Sequence, residues 1–246
     1  MLHVKHKLSP VLLALICLSC NIVKEDRELC PCNLTINVSG APGEVRLLLE
    51  GPSFAMDETV PGDTSVTWRV PRPDVRITAV CGASWDVGVK IPYGQECPQL
   101  YLGVGRVGTN AEEATCVPPL HKAYCLVDMQ FKCPAGWKPL PVAITGNVCG
   151  YTAAGNPLEG AFKCEAEPSG GTGRCSFRIP RQRDSSLLLA IGTGWTFALG
   201  EYLRESGYDW TEADLQDIVL DIDISLTDIT FRSATWKHTE KLWFLI

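Results

Sequence analysis

A chain of 246 residues with 46% hydrophobic content can fill one large core or two small ones. Its formal net charge is −6, and Lys5 and Lys7 are its only Lys, Arg, Asp or Glu residues before Cys20, so without that leader the charge is −8. A polypeptide that acidic is a poor match for nucleic-acid phosphates, which bind clustered Lys and Arg, and this partner class is set aside.

The N-terminus reads as an export signal over residues 1–19. Lys5, His6 and Lys7 form a basic region, and Val11 to Leu18 is an apolar run too short to cross a bilayer. Ser19 before Cys20 resembles the bacterial lipoprotein signal, with Cys17 at a place usually held by Leu. In that signal the cysteine thiol takes a diacylglycerol and becomes the new N-terminus, which makes Cys20 the lipidation site. The competing reading is an ordinary secretory signal cut nearby, leaving Cys20 free. Residues 20–29, with Lys24, Glu25, Asp26 and Glu28, form a charged tether.

Beyond the tether, alternation of period two dominates, the pattern of half-buried strands. Leu34, Ile36 and Val38 share one face; so do Val45, Leu47 and Leu49, then Val66, Trp68 and Val70, then Val75, Ile77, Ala79 and Cys81. Leu100, Leu102 and Val104 continue it to a break at Thr109-Asn110-Ala111. It resumes at Ala123, Cys125, Val127, Met129 and Phe131, and returns around Val142, Phe162, Phe177, Leu189 and Leu220. Leu242, Phe244 and Ile246 alternate at the end.

Only 199–217 reads as helical. Leu199 to Ser206 stops at Gly207, and Thr211 with Asp214 forms a capping box for a second short turn. Short strands at regular spacing point to antiparallel sandwiches. Pro118-Pro119 interrupts them and divides the chain into an N-terminal β-sandwich over 30–118 and a C-terminal one over 119–246.

An exported chain can form disulfides, and ten cysteines lie beyond Cys20. Cys164 and Cys175 are equidistant from a turn at Ser169-Gly170, so they are expected either to bridge across a hairpin or to pack as two buried thiols. No metal site is expected, because Cys30-Pro31-Cys32 has the wrong spacing for paired zinc ligands.

Gly103, Gly105 and Gly108 match a dinucleotide fingerprint, but the chain runs into Pro118-Pro119 with no room for the helix that motif requires. Asp221 and Asp223 share one strand face, where alternation explains them better than acid–base chemistry does. Asp221-Ile222-Asp223 begins like a calcium loop but carries Leu226 where that loop needs glycine. His121 has no nucleophile motif around it. Nucleophile, base and orienter do not occur together, so no enzyme activity, small-molecule substrate or cofactor is expected.

The stretches CNIVKEDRELCPCNLTINVS, IPYGQECPQLYL, LHKAYC, ITGNVCGY and FALGEYLRESGYDWTEADLQDIVLDIDISLTDITF resemble the FimB-type fimbrial anchor subunits of Bacteroidetes, and the resemblance spans essentially the whole chain. It implies an all-β fold of two tandem transthyretin-like Greek-key sandwiches. It also implies a surface lipoprotein of the outer membrane, lipidated at Cys20, that holds the base of a pilus and limits its growth. The implied partners are fimbrial stalk subunits, which assemble by β-strand addition. Leu242, Trp243, Phe244, Leu245 and Ile246 are the candidate stalk contact, the alternative being a last strand paired within its own sheet. The competing function is a surface adhesin or glycan-binding module, with Trp85, Trp137 and Trp195 as an aromatic platform.

Overall fold

Alternating apolar and polar residues place one set of side chains on each face of an extended chain, and two such sheets bury their apolar faces against each other. The computed structural model describes residues 30–86, 88–136, 140–169, 173–225, 228–233 and 236–241. Its first half contains β1 (Cys32–Asn37), β2 (Val45–Gly51), β3 (Phe54–Val60), β4 (Ser65–Val70), β5 (Asp74–Cys81), β6 (Gly88–Lys90), β7 (Tyr101–Gly108), β8 (Glu113–Cys116) and β9 (His121–Lys122). There follow β10 (Tyr124–Lys132), β11 (Val142–Thr152), β12 (Pro157–Ala166), β13 (Arg174–Pro180), β14 (Leu188–Ile191) and β15 (Trp195–Phe197). Helix α1 (Leu199–Glu205) precedes β16 (Ile218–Ile224), β17 (Asp228–Arg232) and β18 (Lys237–Lys241).

The strands form four sheets, stacked in pairs. Sheet β4-β1-β8 faces β3-β2-β5-β7-β9, and their inner residues, Leu34, Ile36 and Val70 with Leu47, Leu49 and Ile77, share one core. Sheet β13-β10-β16-β17-β18 faces β12-β11-β14-β15, with Val127, Met129 and Leu220 meeting Ile144, Phe162 and Leu189 in a second, larger core. The two sandwiches repeat one plan. In each, the first strand pairs antiparallel with the fourth and parallel with a later strand: β1 with β4 and β8, β10 with β13 and β16. The second strand of each stands between the third and fifth.

The chain crosses the expected divide at residue 118 in both directions. After β5 it leaves the first sandwich, and Trp85, Val89, Ile91, Cys97 and Leu100 enter the second core, with β6 pairing β11. Conversely, β9 lies beyond the prolines but closes the sheet of β7. Gly88 and Gly150 permit the β6–β11 approach, since a Cβ on either would fall about 2 Å from a backbone oxygen opposite; both have positive φ.

Helix α1 ends as the sequence indicates. Gly207 adopts φ 81°, and its N–H donates to the Arg204 carbonyl at 3.0 Å. The second turn expected at 211–217 does not form. Thr211 donates its N–H to the Asp209 carboxylate at 2.7 Å, and Asp214 is drawn to another strand, so the capping box never closes.

Candidate assembly surfaces

The described chain enters the body at β1. Cys32, Leu34 and Ile36 are wholly buried, and Cys30 just before them is exposed. The strand is held on both sides: Cys32 to Asn37 register with Val70 to Ser65, and Asn33 to Ile36 with Glu113 to Cys116. Thr35 and Thr67 add a hydroxyl pair at 2.9 Å on the outer face. Cys20 lies outside the described residues.

Where β9 runs into β10, a strap over 208–217 binds the junction. Asp214 accepts the Lys122 N–H at 2.7 Å and faces His121 Nδ1 at 3.2 Å. The Lys122 N–H, reinforced by His121, holds the Asp214 carboxyl below the usual range. Asp217 accepts the Leu126 N–H at 2.8 Å and pairs with the Lys122 ammonium. Arg181 donates to the Trp210 carbonyl and, at 3.0 Å, to the Ala213 carbonyl. Buried Tyr151 donates to the Ala123 carbonyl and accepts the Arg181 N–H at 2.9 Å. His121 therefore serves as a structural partner of Asp214. Asp217, Arg181 and Tyr151 carry no local signal in the sequence because their partners lie 28 to 95 residues away. The one available signal was Asp214, already marked as a capping residue.

The far end of the second sandwich is the edge strand β18, whose side chains are polar throughout. Tyr202 of α1 stacks on His238 with ring centroids 4.1 Å apart and donates to Glu240. Glu240 faces His238 Nε2 at 3.3 Å, and burial raises its carboxyl pKa. Leu242, Trp243, Phe244, Leu245 and Ile246 follow directly and lie outside the described residues.

Other expected features are placed differently. Cys164 and Cys175 do not face each other across a hairpin. The chain turns between them, with Ser169 donating to the Arg174 carbonyl at 3.0 Å, but β12 joins β11 while β13 joins β10 in the opposing sheet. Cys164 is registered with Ile144 and Cys175 with Met129, and both thiols are free. Burial pushes them up to about 12 and about 11, which suppresses thiolate chemistry. The aromatic platform is not assembled: Trp85 is 2% exposed and Trp195 is half-buried against the second core, while Trp137 lies outside the described residues. Gly103, Gly105 and Gly108 sit on β7, followed by β8 rather than a helix. Asp221 and Asp223 point outward from β16 between buried Leu220, Ile222 and Ile224.

The fold has counterparts among solved structures. The fimbrial anchor protein Mfa2 from Porphyromonas gingivalis matches at a TM-score of 0.60 and 10% identity, over 85% of this chain and 99% of that one. A candidate adhesin from Bacteroides ovatus gives 0.63 and 13%, over 88% and 97%. A candidate polysaccharide-binding protein from Bacteroides thetaiotaomicron gives 0.62 and 12%, over 84% and 97%. No protein-family profile and no curated protein sequence matches the chain.

Proposed function

We propose that this chain is a non-enzymatic cell-surface fimbrial lipoprotein, moored in the outer membrane through acylated Cys20, that holds the base of a pilus and limits its growth. The observation that carries this reading is the seating of β1 between β4 and β8. A filament that extends by strand addition must offer a vacant strand position at its growing end. A subunit whose own first strand fills that position offers none there, so extension stops at it. The same strand is the segment joined to the tether, which couples growth arrest to attachment. The shared fold with a fimbrial anchor protein is in keeping with this.

Acyl chains bind bilayers by about 0.8 kcal/mol per buried CH₂, and one chain alone holds only marginally. A lipoprotein cysteine carries two or three, which makes the mooring durable. Stalk subunits then engage another surface, for which Leu242 to Ile246 is the candidate. The test is lipid labelling of wild type and Cys20→Ala, with fractionation and imaging of filaments. Loss of label with filaments shed into the medium is expected. Label-free protein that still retains filaments on the cell overturns the reading.

A further inference from the structure

The central strand of one sheet is left open along part of its length. β14 pairs with β11 at Val142–Thr145 and β6 pairs with it at Gly150–Thr152, so Gly146, Asn147 and Val148 have no strand partner on that side among the described residues. On its other side β12 passes with register shifts between Gly146 and Val148 and again before Tyr151. Such irregularities bend a strand and redirect its side chains. An open groove of two neighbouring parts runs along this stretch. About 830 Å³ lies beside Asn147, Arg183 and Asp184, and about 670 Å³ beside Lys90 and Tyr93, with Glu159, Gly160 and Ala161 lining both.

We infer that this groove is an oligosaccharide-binding site, with Tyr93 as the stacking surface and Asn147, Asp184 and Glu159 as hydroxyl partners. Tyr93 is 66% exposed, the most open large apolar side chain among the described residues, and a bare aromatic ring on a groove wall fits the C–H face of a sugar. The polar groups are fixed in advance. Asn147 donates to Asp184 at 2.9 Å, Asp184 accepts the Ser186 N–H at 2.9 Å, and Arg183 pairs with Glu159. Arg183 and Lys90 balance Glu159 and Asp184, so the lining carries no net sign. That balance suits a neutral ligand rich in hydroxyls and gives phosphate or an acidic peptide no advantage.

Behind the groove lies unmet hydrogen-bonding capacity. Asn147 Oδ1 and Gln182 Oε1 are buried without a hydrogen-bond partner. Gln182 is 1% exposed, and its oxygen lies against Gly146, only 2.5 Å from where a Cβ on that glycine would stand. Buried acceptors without donors are costly and uncommon in folded proteins, which marks this stretch as locally strained.

This site is independent of the anchor reading. The test applies the purified full-length protein to an array of neutral, sialylated and sulfated oligosaccharides. Binding to neutral members is expected, weakened at least tenfold by Tyr93→Ala and by Asn147→Ala, with melting temperature unchanged in Tyr93→Ala. Because Tyr93 is exposed, that variant remains decisive should Asn147→Ala fail to fold. An array with no bound member, binding confined to anionic members, or binding untouched by Tyr93→Ala overturns the inference. Cells carrying Tyr93→Ala keep their filaments, which separates failure here from failure of the anchor reading.

Discussion

A carboxylate sets the course of the chain around residue 214. In isolation Thr211 and Asp214 have the spacing of a helix start, yet Asp214 spends its oxygens on the Lys122 N–H and on His121. The long-range partners win over the local cap, tying the strap to the junction. The consequence is a pH dependence of defined sign. The folded carboxyl is held low by the Lys122 N–H, so its contribution is present above the unfolded pKa and fades as pH falls through the folded value. The side chain is 64% exposed, which keeps the effect small. Asp214→Asn is expected to flatten the fall in melting temperature between about pH 5 and pH 2, by about 2 °C. Asp57, Asp184 and Asp209, also held low by hydrogen bonds, sustain the remaining slope. Calorimetric curves for variant and wild type that coincide after a constant offset would contradict the assignment.

At the scale of elements, the sequence disclosed strands with one buried face and hid those at edges. Leu34, Ile36 and Val38 or Ile218, Leu220 and Ile222 alternate cleanly because core packing demands it. β3 (FAMDETV) and β8 (EATC) are only partly buried and β18 (KHTEK) is polar throughout, so their periodicity is weak. Turns were legible, but pairing partners were not. The turn after Ser169 is real, yet the flanking strands part to opposite sheets, which a sandwich permits and local spacing cannot reveal. The open length of β11 was hidden for the same reason, since Tyr93, Asn147, Glu159 and Arg183 converge from four separate segments. Deleting Leu242 to Ile246 bears on the proposed stalk contact. Because Ile229, Phe231 and the β17–β18 ladder precede the deletion, the truncated protein is expected to stay folded and membrane-bound while releasing stalk subunits. Its unfolding in circular dichroism would instead assign that end to its own sheet.

At the scale of the molecule, the proline pair suggested two separable bodies, and the packing joins them. Trp85 and Ile91 leave the first sandwich to fill the second core, and Asp214 and Asp217 tie the strap to β9 and β10. A fragment ending at residue 118 would expose those apolar residues. Wild type is therefore expected to unfold in urea as a single transition, coincident by fluorescence and far-ultraviolet circular dichroism. Trp85→Ala is expected to lower its stability by about 3–5 kcal/mol through the cavity it leaves. Two resolved transitions would mean that the halves fold separately.

The parallel companionship of β1 and β8 has a mechanical corollary. Under the proposed mooring at Cys20, tension reaches the body at the N-terminal end of β1, a strand paired along its length on both flanks. A pull along that strand would load its ladders to β4 and β8 in shear, so that rows of hydrogen bonds on both flanks break together. On the proposed anchor function, a drag on the filament would thus be met by the stiffest way a sheet can be pulled.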